Sequence, residues 1–179
     1  MLGLFDSVRR RVRGVPSLPG DTPVEIAKEV IKANARKVLR CGSGPSWFMR
    51  PSDFAVGFRG AQKVLSPSYL RGLLEFMIGE SFRKGRVTSC FSPLRGFDLA
   101  SPSQDSLPLL IYSVAEYCRW VGDKRLCEEN EASLQWLISD YERNAPTALC
   151  ALKMLHDARG LGLKVRTDPK AFEQDFLNN

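Results

Sequence analysis

The densest apolar pattern in the chain falls between residues 106 and 121. There Leu107, Leu110, Ile111, Val114, Ala115, Cys118 and Val121 recur at three- and four-residue steps, and Leu109, Tyr112 and Tyr117 widen the apolar face. Such spacing places side chains on one side of a helix, and a face this broad predicts a helix that is buried on most sides. Asp105 or Ser106 stands where a cap accepts a backbone N–H bond from the first turn. The segment Lys124 to about Tyr141 carries a narrower stripe, Leu126, Leu134, Leu137, Ile138 and Tyr141, opposite Glu128, Glu129, Glu131 and Gln135. It is predicted to lie outside its buried predecessor.

The same rhythm predicts further helices on either side. Val24, Ala27, Ile31, Ala35 and Val38 define one to about Arg40, with Asp21 or Thr22 as cap, Pro23 in the first turn and Glu25 completing the cap. A helix from about Phe54 to Leu65, with Ser52 or Asp53 at its start, ends at Ser66-Pro67-Ser68. The next, built on Leu70, Leu73, Leu74, Met77 and Ile78, runs to Arg83-Lys84-Gly85, with basic residues at the negative end of the helix dipole and a glycine at the exit. Residues 86–91 are predicted as a short strand paired with Phe97-Asp98-Leu99, and a last helix spans about Ala148 to Arg159. The fold class is therefore all-α, of about six or seven helices in antiparallel pairs. Breakers divide it into a basic N-terminal segment and linker (1–20), a helical domain (21–160) and a C-terminal tail (161–179).

Composition narrows the functions open to such a fold. At 179 residues, 44% hydrophobic and 26% charged, the chain has the make-up of one globular domain. It has no apolar run long enough to span a bilayer, so no membrane partner is expected. The opening MLGLFDSVRRRVRG places its charges after its apolar residues, unlike a secretory leader, so a cytoplasmic location is expected. Five cysteines, Cys41, Cys90, Cys118, Cys127 and Cys150, are widely spaced and odd in number, which reads as small buried hydrophobes. His156 is the lone histidine, so neither a metal site nor a histidine-based triad is expected, and no cofactor is called for. The net charge of +6 raises nucleic acid as a partner. Its excess sits in local runs, Arg9 to Arg13 and Lys32 to Arg40, without interleaved aromatics, so nucleic acid is the weaker alternative.

Two loops carry candidate chemistry. Ser46-Trp47-Phe48-Met49-Arg50-Pro51-Ser52-Asp53 gathers aromatics, an arginine and an aspartate before a helix; aromatic faces stack on pyranose rings while Arg and Asp bond hydroxyls. The loop holding Asp98 and Asp105 leads into the central helix. The run Gln104-Asp105-Ser106-Leu107-Pro108-Leu109-Leu110-Ile111-Tyr112, continuing through Glu116-Tyr117 to Trp120-Val121-Gly122-Asp123, resembles an inner helix of the (α/α)6-barrel glycoside hydrolases. The similarity is to the amylo-α-1,6-glucosidase (glycogen-debranching) and glucoamylase-like group, and it covers roughly residues 45–143. Gly85-Arg86-Val87 resembles the loop that leads into such a helix there. Trp47, Phe48, Arg50 and Asp53 resemble its "Tyr-Trp-x-Arg-Asp" loop, with Pro51-Ser52 inserted.

The resemblance implies a carbohydrate-active six-hairpin domain of which the chain supplies about half a ring. It implies substrate binding by Trp47, Arg50, Asp53, Asp98 and Asp105 at one rim, and an oligo- or polysaccharide as ligand. The general acid and base stay unassigned, because in that group they come from later helix pairs; two carboxyl groups set ~5–10 Å apart would be needed. A half ring also leaves inner apolar surface uncovered, so self-association or a partner chain is expected. A non-catalytic helical binding module, or a basic helical protein touching nucleic acid, is the alternative.

Overall fold

The computed structural model describes residues 20–35, 49–87, 90–91, 105–143 and 149–170. Within these the protein is all-α. Its helices are α1 (Pro23–Asn34), α2 (Pro51–Ala61), α3 (Pro67–Lys84), α4 (Ser106–Val121), α5 (Arg125–Glu129), α6 (Glu131–Arg143) and α7 (Leu149–Leu161). None of the described helices is long and apolar enough to cross a membrane.

Each boundary has a local cause. Thr22 and Glu25 form a reciprocal capping box at α1, with Pro23 in the first turn. Ser66 caps α3 by accepting the Tyr69 N–H at 3.2 Å, and Gly85 closes that helix in the left-handed conformation at φ 67°. Gly122 does the same for α4 at φ 69°. Several boundaries differ from the sequence reading. The first helix ends at Asn34, with Ala35 already extended (φ −78°, ψ 100°), rather than near Arg40, and the second ends at Ala61 rather than near Leu65. The second helix starts at Pro51 rather than Phe54, because proline tolerates the first turn and Arg50, not Ser52 or Asp53, takes the cap position. Asp105 does occupy the cap position of α4, but its backbone is already helical (φ −87°, ψ −13°) and its side chain makes no capping bond. The segment predicted as one helix from Lys124 to Tyr141 is broken at Asn130. Its side-chain amide donates to the Leu126 carbonyl at 2.9 Å, and its backbone N–H goes to Cys127, which ends α5 and starts α6.

The predicted pairing of 86–91 with 97–99 falls on residues outside the described ones, and among the described residues the backbone partner of Phe91 is Met49. The two exchange backbone bonds of 2.9 and 2.8 Å, a single antiparallel bridge between the segments ahead of α2 and α4. Both side chains are buried, and the Phe91 ring meets Phe76 edge-on. Residues 97–99, the helical extension from 36 to 40 and the glycine-rich turn at 41–45 lie outside the described residues.

Helix α4 is the hub. Ten of its sixteen residues are buried, Leu110, Ile111 and Val114 completely, as the sequence pattern predicts. Its buried hydroxyl Ser113 returns a 2.8 Å bond to the Leu109 carbonyl, so no polar group is stranded there. Around it the helices form two sets. Lys153 lies over the Tyr112 ring, and Arg119 bonds Asp157; the two pairs run in the same order along both helices, so α4 and α7 are parallel. Arg59, late in α2, reaches Glu116, late in α4, in the same sense. On the other side Arg71 pairs with Glu129, the last residue of α5 just ahead of α6, and Phe82 with Trp136 of α6, so α3 and the α5–α6 segment run in the same sense. The start of α3 lies by the end of α4, where the Arg71 charge is felt by Tyr117 and Asp123, so this second set runs opposite to the first. After α7 the chain is fastened along α6. The Gln135 side chain exchanges bonds with both backbone groups of Lys164, and Glu142 Oε1 accepts the N–H groups of Arg166 and Thr167.

Candidate functional site

The open side of α4 locates the polar chemistry. Because the helix is buried almost all round, its uncovered positions are few: Asp105 at the cap, then Leu109, Tyr112, Glu116, Arg119, Trp120 and Val121. The first five recur at alternating four- and three-residue steps, which places them in one stripe from the start of the helix to its last turn. Parallel α2 presents Asp53, Val56 and Arg59 on its exposed positions, and parallel α7 presents Lys153 and His156.

At the start of this face stand three of the residues singled out in the sequence. Arg50 precedes α2, Asp53 lies in its first turn and Asp105 precedes α4; all three are exposed, and the shared sense of the two helices puts them at one end of the bundle. Trp47 and Asp98, with Phe48, lie outside the described residues.

Further along the face a charged network joins three helices, and the sequence reading did not identify it. The two oxygens of Glu116 are engaged separately, Oε1 by Arg119 at 2.6 Å and Oε2 by Arg59 at 3.4 Å. The other nitrogen of Arg119 donates to Oδ1 of Asp157 at 3.3 Å, and Lys153 donates to the same oxygen. The Lys153 ammonium also sits 5.3 Å from the centre of the Tyr112 ring, a cation–π contact. Burial is uneven: the Asp157 side chain is 3% exposed and Glu116 14%, whereas Arg119 and Lys153 are each 54% exposed and Arg59 75%. Burial draws the Arg119 guanidinium down, and its bonds to Glu116 and Asp157 outweigh this, so its proton is held more tightly than usual. The second oxygen of Asp157, Oδ2, is buried without a hydrogen-bond partner.

This arrangement has limited chemistry of its own. Both carboxylates are already occupied by cations, and the Arg119 guanidinium fills the space between them, where a scissile bond would have to lie. Among the described residues no group of His, Cys, Asp and Glu could hold a metal ion. His156 is exposed on α7, beside the network in sequence but outside its bonds. Of the thiols, Cys118 and Cys127 are buried, and burial pushes Cys127 up to about 11, so both behave as small apolar side chains at neutral pH. A sequence signal for the network did exist: Glu116 and Arg119 are charged breaks in the central apolar run. Asp157 has no such signal, because its partners lie on another helix. No family model matches the chain, and neither a curated protein nor a solved structure is similar to it.

Proposed function

We propose that the chain is a carbohydrate-active domain of the (α/α)-barrel kind, glycoside hydrolase-like and of the α-glucan debranching or glucoamylase type. It supplies about half of a six-hairpin ring and needs further helix pairs for hydrolysis. The observation that carries the reading is the division of the helices into two sets of opposite sense, α2, α4 and α7 against α3 and α6. An inner and an outer ring of helices have this relation. On this reading the inner set presents the stripe from Asp105 to Arg119 to the lumen. Arg50, Asp53 and Asp105, with Trp47 and Asp98, form the rim that bonds sugar hydroxyls. The general acid and base are assigned to the further helix pairs, as in the group the chain resembles, and Glu116 and Asp157 are both occupied by cations. A cytoplasmic location fits such a glucan-handling protein.

Self-association or a partner chain belongs to the same proposal. Val24, Ile26 and Val30 of α1 and Val56 of α2 are exposed, Val56 to 86%, as are Phe82, Trp120 and Trp136. A non-catalytic helical binding module is the second reading, favoured by the neutralised state of Glu116 and Asp157.

Calorimetric titration of the purified chain with maltoheptaose, beside an assay of reducing sugar released from glycogen, tests both. Binding without release of sugar is expected for the half ring. Release by the chain alone removes the claim of incompleteness, and absence of any glucan binding removes the carbohydrate reading.

A further inference from the structure

We infer that the middle of the α4 stripe is a second sugar-binding subsite, made by Tyr112 and Asp157 and occupied in the free protein by the Lys153 side chain. The inference rests on the carbohydrate reading above and adds to its rim a contact about two helical turns further along. Three observations meet there. Asp157 is a buried carboxylate with one oxygen, Oδ2, lacking a donor, and such an oxygen is satisfied by a hydroxyl group or a water. Tyr112, only part-buried, has a ring face that Lys153 overlies at 5.3 Å, the position a pyranose C–H face takes on an aromatic platform. One ammonium reaches both groups, so the ring and the carboxylate are close enough for a single sugar to touch each.

The cover over this site is movable. Lys153 is half exposed and sits on a flexible four-carbon stem, so it can swing to solvent, whereas Asp157 and Tyr112 are fixed by the packing of α7 on α4. Once Lys153 leaves, Oδ1 keeps its bond to Arg119 and has a vacated acceptor position that a sugar hydroxyl can fill. Arg119 and Glu116 flank the position with a donor and an acceptor. The ligand class is a neutral α-glucan oligosaccharide, which offers hydroxyl donors without adding charge to a network that already holds three cations and two carboxylates.

The competing role of Lys153 gives the test an unusual sign. Maltoheptaose is titrated calorimetrically into the wild-type chain and into Lys153→Ala, Tyr112→Leu and Asp157→Asn, each checked for a native melting transition. Lys153→Ala is expected to bind about two- to fivefold more tightly, by loss of the competing cation–π contact. Tyr112→Leu, which keeps the apolar volume, is expected to bind about tenfold more weakly. Should Asp157→Asn fail to fold, the other two variants carry the decision. Wild-type affinity in both Lys153→Ala and Tyr112→Leu overturns the subsite and leaves the rim proposal standing; no heat of binding in the wild type overturns both.

Discussion

Arg119 on α4 donates to Asp157 on α7 at 3.3 Å across the most extensive contact among the described helices, with the guanidinium half exposed and the carboxylate buried. This asymmetry decides which partner matters to stability. Removing the cation leaves a buried anion with less compensation, whereas removing the anion leaves a cation that water can solvate. Arg119→Ala is therefore expected to cost about 2–3 kcal/mol, held below the full loss of a buried pair by the remaining Lys153. Asp157→Leu is expected to cost less than that. Urea denaturation of the two variants checks the order, and an equal or reversed order contradicts the account of the network.

The hub role of α4 predicts a steep contrast between helices. Ile111 is fully buried, so Ile111→Ala is expected to lower stability by about 2–5 kcal/mol through lost transfer energy and a residual cavity. Ile26→Ala on α1, at a position 40% exposed, is expected to stay within about 0.5 kcal/mol of wild type. Thermal melts followed by far-ultraviolet circular dichroism separate the two.

The buried thiol of Cys127 predicts a loss of stability at alkaline pH. Its folded pKa is raised by burial from 9.0 to about 11, so the folded state holds the proton more tightly than the unfolded chain. The contribution is fully present below pH 9 and is lost as pH rises from there through 11. Cys127→Ala should flatten that part of a stability–pH curve. The same burial predicts slow reaction of Cys118 and Cys127 with a disulfide reagent at pH 8 in the native state and fast reaction once urea unfolds the chain.

What was legible in the sequence was what depends on neighbours along the chain. The α4 stripe, the Thr22–Glu25 box, the Ser66 cap and the exits at Gly85 and Gly122 all act within one or two turns, and each was readable from spacing and residue type. The break at Asn130 was hidden because the apolar rhythm from Leu126 to Leu137 continues across it; a single side-chain bond to Leu126 interrupts the helix without changing the pattern. The Met49–Phe91 bridge joins segments far apart in the chain, so the nearer partner at 97–99 was the natural expectation. The charged network escaped for the same reason. Glu116, Arg119, Lys153 and Asp157 come together only when α7 is laid on α4.

Asp105 carries the central claim, because its cap position and its proposed sugar contact predict different consequences of its loss. Since its side chain makes no capping bond, Asp105→Ala is expected to change stability by less than the ~1 kcal/mol of a working cap. As a hydroxyl-binding carboxylate it would lose one or two charge-assisted bonds of about 1.5–3 kcal/mol each, a tenfold to several-hundredfold fall in glucan affinity. Titration of maltoheptaose into Asp105→Ala and wild type, with melting curves of both, is the most direct measurement. The account predicts strongly weakened binding with a melting point lowered by less than the loss of a working cap would cause. A lowered melting point with undiminished sugar affinity would contradict it.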